Sequence, residues 1–94
     1  MYEGILRQMR ECVMNRRFII SIHAAVAMKQ DLLFTEDVEH CVLMGEIVER
    51  QWDRVYNEYK YVIAGEAEDG DEIEVVAKLQ QIGTTIVITV FRVY

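Results

Sequence analysis

Proline is absent from this chain of 94 residues. Helices and strands can therefore run without an imposed break, and slow prolyl isomerisation has no place in folding. Only two cysteines occur, Cys12 and Cys41, far apart and at no CxxC spacing. They read as small buried hydrophobes in a reducing compartment, not as a disulfide. Histidine is just as scarce, with His23 and His40 alone, so few side chains can exchange a proton near neutral pH. No two of these four potential ligands stand at i, i+3, i, i+4 or CxxC spacing, so neither a metal nor another cofactor is expected. No apolar run reaches the roughly 18 residues of a membrane span, and the start MYEGILRQMREC has no secretory core, so the chain reads as cytosolic. A Gly-rich phosphate loop, a Walker lysine, GxSxG and a Ser/His/Asp set are all missing. That excludes the nucleotidases, dehydrogenases and hydrolases built on them.

What is present suits one globular domain over residues 1–94: 52% hydrophobic and 28% charged residues. The net charge of −6 is uneven. Residues 1–22 carry Arg7, Arg10, Arg16 and Arg17 against Glu3 and Glu11, giving +2. Residues 23–50 and 51–94 each come to −4. Such a surface repels phosphate at long range, which argues against general DNA binding and leaves room for a small basic cleft. It also suits a basic protein partner.

The first half has helical periodicity. Ile5, Met9, Cys12 and Val13 form one stripe over residues 2–15, with Asn15 as terminator. Phe18-Ile19-Ile20 is too brief to assign. Ser21 is a suitable N-cap for a short helix to about Lys29, rich in alanine. Thr35 is read as the N-cap of a further helix, with Glu36 and Asp37 in its first turn, Val38, Cys41 and Val42 inward, and Gly45 as a left-handed terminator. From Glu46 the period becomes two. Strands are expected over 47–52, 60–67, 72–80 and 85–92, with a tight turn at Asp69-Gly70 and another at Gly83. The last, TIVITVFR, is apolar on both faces, as central strands are. The expected architecture is α+β: N-terminal helices packed on one face of a four-stranded antiparallel meander.

His23 is the leading chemical candidate, a general acid or base at a helix start; the plainer reading is a histidine bonding backbone there. His40 reads as a surface or structural residue. Arg54, Lys60, Lys78 and Arg92 are the bases of the second half. Converging, they would hold phosphate; apart, they are solubilising side chains. Trp52, Tyr56, Tyr59 and Tyr61 cluster around the first strand connection, either to stack nucleobases or as the rim of a core or interface.

The order HAA, FTEDVEHCVLMGEIVE, YKYVIAGEAEDGDEIEVV, IVITVFR resembles a bacterial family described as domain of unknown function 4258, over about residues 18–92. That family looks related to BrnT and RelE-like toxins of type II toxin–antitoxin systems. The resemblance implies a RelE-like fold, a metal-independent endoribonuclease acting on RNA, and a small zinc-finger antitoxin as partner. On this reading His23, Lys60, Lys78 and Arg92 form the catalytic set, and Arg54 and Tyr61 bind RNA. Two features depart from the pattern. Glu74 stands where many members have histidine, and the chain is acidic. The alternative is a non-catalytic binding or regulatory module, or a homodimer.

Overall fold

The computed structural model describes residues 1–94 as three helices and five strands. In chain order these are α1 (Glu3–Met14), β1 (Phe18–Ile20), α2 (Ile22–Gln30), α3 (Thr35–Met44), β2 (Glu46–Asp53), β3 (Glu58–Glu66), β4 (Glu72–Leu79) and β5 (Thr85–Arg92). The expectation of four antiparallel strands is corrected here. β1 adds a fifth strand, the sheet order is β1-β5-β4-β3-β2, and β1 runs parallel to β5. The physical reason lies in β5, an apolar strand whose second edge would otherwise expose a row of unpaired backbone groups. β4 covers one edge, and Phe18, Ile19 and Ile20 pair with Thr85, Ile86 and Val87 on the other.

Alternation assigns the two faces. Tyr61, Ile63, Val75, Ala77, Val87 and Val90 point to the helices and are buried. Met9 and Val13 of α1, Ala24 and Met28 of α2, and Val38, Cys41 and Val42 of α3 complete that core. Leu6, not Ile5, is the first fully buried residue of α1; Ile5 packs at the margin. The opposite sheet face carries Lys60, Glu74 and Lys78 around Val62 and Val76 and has no helix over it.

Local chemistry sets the helix ends. Ser21 caps α2 as expected: its Oγ accepts from the Ala24 amide at 3.0 Å and donates to the Ile88 carbonyl at 3.1 Å. Ile88 is left over by a bulge between β4 and β5, which makes that carbonyl available. α3 begins differently from the expectation. Phe34, not Thr35, is the capping residue, and Asp37 Oδ2 accepts from its amide at 2.8 Å. Gly45 is also corrected. Its backbone is extended, with φ −90°, and a Cβ there would collide with the carbonyl oxygens of Ala64 and Cys41. Close approach of α3 to β3, not left-handed geometry, requires the glycine. The Glu68–Gly70 turn does use left-handed geometry, at Gly70 alone (φ 92°), with the Gly70 amide donating to Ala67 O and the Ala67 amide to Asp71 O. That is a type I turn closed by a glycine bulge, and Gln80–Thr84 repeats it.

Candidate functional site

The outer end of the β2–β3 hairpin gathers the aromatic and cationic side chains that could meet a ligand. A bulge at Val48 shifts the register so that Arg50 lies opposite Tyr61 and Trp52 opposite Tyr59. All four then share the helix-side face, where Tyr61 lies in the core and Trp52 and Tyr59 are half-exposed. The Arg50 guanidinium lies 4.0 Å from the Tyr59 ring centroid and 5.8 Å from that of Tyr2. Trp52 and Tyr59 meet edge to face at 4.8 Å, and Tyr2 and Tyr61 at 5.7 Å. Trp52 is 50% exposed and Tyr59 41%, so both rings offer surface to solvent. Tyr61 is buried beneath Tyr2 and supports the patch from below. Cation–π and edge-to-face contacts hold these groups in place without a ligand, so they form a preset platform for a flat, electron-rich or anionic partner.

The hairpin turn completes the patch. Asp53 Oδ1 accepts from the amides of Val55 and Tyr56 at 2.9 and 3.3 Å, and Asn57 takes the left-handed φ of 51°. Arg54 is thereby carried at an exposed tip, two residues along the chain from Trp52. Tyr56 turns to the other sheet face, where the Lys78 ammonium lies 4.7 Å from its ring centroid.

The remaining expected residues fall apart in space. Lys78 is half-buried and ion-paired with Glu58 at 2.5 Å. Lys60 shares its open sheet face, one strand away. Arg92 lies on the helix side at the far end of β5. There its Nη1 reaches Asp71 at 2.8 Å, its Nε donates to the Asp31 carbonyl at 2.8 Å, and its amide donates to Asp31 Oδ2 at 3.0 Å. These bonds fasten the end of α2 to β5 and engage the guanidinium through Nε and Nη1. His23 is exposed in the first turn of α2, and its ring bonds to nothing in the protein. His40 is structural: its Nδ1 donates to the Glu66 carbonyl at 2.9 Å, tying α3 to β3.

Arg50 and Tyr2 escaped the sequence reading. Arg50-x-Trp52 and Tyr59-x-Tyr61 do each place two such residues on one strand face, a period-two signal that was available. Their partnership also needs the Val48 bulge, which no local pattern encodes. Both cysteines are buried and unbridged. No three His, Cys, Asp or Glu side chains are grouped to hold a metal ion. No helix is long and apolar enough to cross a membrane.

Comparison with curated proteins and with solved structures gives no match. The family model for a domain of unknown function (DUF4258) matches residues 20–92, from β1 through β5 and including the whole hairpin platform, and the chain belongs to that family.

Proposed function

We propose that this protein is a toxin-like, RNA-directed member of a two-protein toxin–antitoxin module, with a RelE-like arrangement of helices on a sheet. One observation carries the reading: Arg50, Trp52 and Tyr59 form a preset, half-exposed stacking platform, with Arg54 two residues along the chain from Trp52. Unpaired bases present π-faces that stack on such rings, and the two arginines supply the cationic contacts a backbone needs. Binding of this kind tolerates an acidic chain because it is local: stacking carries the affinity, and the long-range field opposes duplexes more than a short single strand. A small zinc-finger antitoxin fits the partner role.

Cleavage of RNA is the second reading, favoured by His23, whose ring is exposed and unpartnered at the start of α2. A ribonuclease of this type would form a bond from the 2′-oxygen to phosphorus and break the bond to the 5′-oxygen, leaving a 2′,3′-cyclic phosphate and a 5′-hydroxyl, with His23 taking the 2′ proton or giving one to the leaving oxygen and a cation steadying the phosphorane. Lys60 and Lys78 occupy the face opposite α2, so RNA would have to wrap the β5–β1 edge to meet both.

Trp52 is the only tryptophan, so its fluorescence reports directly on the platform. Titration with short single-stranded RNA at low salt is expected to quench it. By anisotropy of labelled RNA, Trp52→Phe is expected to retain binding and Trp52→Ala to weaken it about 5- to 150-fold, the value of about 1–3 kcal/mol of stacking. Equal affinity of wild type and Trp52→Ala sinks the platform. Incubation of the same RNA in EDTA with wild type and His23→Ala decides the second reading. Uncut RNA in both excludes cleavage while leaving binding intact.

A further inference from the structure

The α2–α3 junction carries an apolar surface that the core uses only in part: Met28 and Leu33 belong to the core, while Leu32 and Phe34 do not. Ile20, Ala25, Met28, Leu32, Leu33 and Phe34 line an open groove of about 420 Å³. Leu32 is 77% exposed and Phe34 68%, and Ile22 and Val26 extend the apolar surface along α2. Leu32 and Phe34 also border an adjoining hollow whose other walls include Glu36, Asp37, Glu68 and Asp69. Apolar groove and acidic shelf are therefore two halves of one surface.

The shelf is acidic in effect as well as in composition. Asp37 is occupied, since its two oxygens accept from the Phe34 and Glu68 amides. Arg92, the one base in the hollow, is held by Asp31 and Asp71. Glu36 and Glu68 are exposed and make no ion pair, and Asp69 bonds only the Asp71 amide. Lys29 on α2 is the one charged residue that lines the apolar groove itself.

Leu32 adds a second argument. It is the left-handed residue that closes α2, at φ 55°, with the Leu33 amide donating to Met28 O and the Leu32 amide to Lys29 O. Glycine or asparagine would fit that backbone without strain. A leucine there spends free energy and buries almost nothing within its own chain. Residues held in such conformations cluster at binding and switch sites, and the exposed apolar side chain of Leu32 suits an external contact.

We propose that this surface docks a basic amphipathic helix of a different protein, with apolar residues in the α2–α3 groove and lysines or arginines over Glu36, Glu68 and Asp69. A helix fits because the ridge Ala25, Met28, Lys29 and Leu32 has the i, i+3, i+4, i+7 spacing that meshes with another helix. β1 is too short at three residues to recruit a strand strongly. A second copy of the chain is poorly suited: α1 carries Arg7 and Arg10 against Glu3 and Glu11 and already spends Leu6, Met9, Cys12 and Val13 on the core, and two copies would each bring a charge of −6. The inference shares with the proposed function only the existence of a protein partner.

The test uses a fluorescent, roughly 18-residue synthetic helix with leucines at i, i+3, i+4, i+7 and lysines elsewhere, beside one with glutamates for lysines and one of scrambled order. The lysine helix is expected to bind at least about tenfold more tightly than either control. Leu32→Asn keeps the left-handed backbone and is expected to weaken binding about tenfold or more. Glu36→Gln with Glu68→Gln is expected to weaken it and flatten its salt dependence. Binding that does not depend on Trp52 separates the two sites: Trp52→Ala is expected to leave the peptide affinity unchanged. No binding of the lysine helix, equal binding of the glutamate helix, or indifference to Leu32→Asn overturns the proposal. So does sedimentation as a dimer that Leu32→Asn dissociates, which would make a second copy the occupant.

Discussion

Cys41 shows what burial does to a single group. Its thiol sits at the α3–β3 contact with no exposed surface, and its Sγ lies 3.6 Å from the Ile63 carbonyl. Burial first, and the negative charge of Glu74 second, push its pKa from 9.0 up to about 12. The thiolate is thus suppressed where a redox or nucleophilic cysteine would need it, so Cys41 is packing. The shift has a definite sign. Between pH 9 and 12 the unfolded chain has lost this proton and the folded chain keeps it, so folding stability attributable to Cys41 is complete below pH 9 and drains as pH rises toward 12. The slope approaches about 1.4 kcal/mol per pH unit at most. Urea unfolding at pH 8 to 11 is expected to show wild type falling more steeply than Cys41→Ala, with the gap between them narrowing as pH rises. Parallel curves would mean that the thiol ionises in place.

At the scale of elements, the helices are joined to one another by side chains as much as by the core. Arg10 on α1 reaches the end of α3, where its Nε donates to Val42 O at 3.0 Å and its Nη2 to Gly45 O at 2.8 Å. The last carbonyls of a helix have no partner in the helix and carry its negative dipole end, so a guanidinium fork there satisfies both needs. Arg10→Met is expected to cost about 1–3 kcal/mol, because it leaves two partly buried carbonyls unpaired. Arg10→Lys should recover only part of that, since a point donor cannot span both oxygens. Arg7→Met, exposed on the same helix, should stay within about 0.5 kcal/mol of wild type. Chemical denaturation of the three variants checks this, and equal losses at both positions would remove the fork from the account. Local signals made these helices readable: the Ser21 cap, the alanine run and the Val38, Cys41, Val42 stripe are all present as the sequence implies. Gly70 and Gly83 take the left-handed backbone their turns implied, but Arg16, Leu32 and Asn57 were not readable, because they hold it without glycine. Gly45, the residue that looked left-handed, is needed for an approach between α3 and β3 that only the tertiary structure creates.

Across the whole molecule, legibility fails with sequence distance. The three hairpins from β2 to β5 are local, and turn chemistry announced two of them. The β1–β5 pair joins residues 18–20 to 85–87, and three residues cannot declare a partner so far along the chain. TIVITVFR did carry the clue, since an apolar strand on both faces is a poor edge. The candidate site failed similarly: its residue types were visible, its convergence was not, because Arg92 belongs to a junction with Asp31 and Lys78 to a pair with Glu58. The same separation orders folding. Closing β1 onto β5 orders a loop of about two-thirds of the chain for three residues of pairing, so it is expected after the β2–β5 meander and α3 have formed. Phe18 is half-buried against the core, and Phe18→Ala should cost about 2 kcal/mol. If β1 docks after the rate-limiting step, that loss appears almost wholly as unfolding about thirtyfold faster, with the folding rate within about twofold of wild type. Stopped-flow chevrons for wild type and Phe18→Ala measure both rates. A folding limb slowed by most of the equilibrium loss would place the parallel pair inside the nucleus, and the sheet would then grow from its β1–β5 edge.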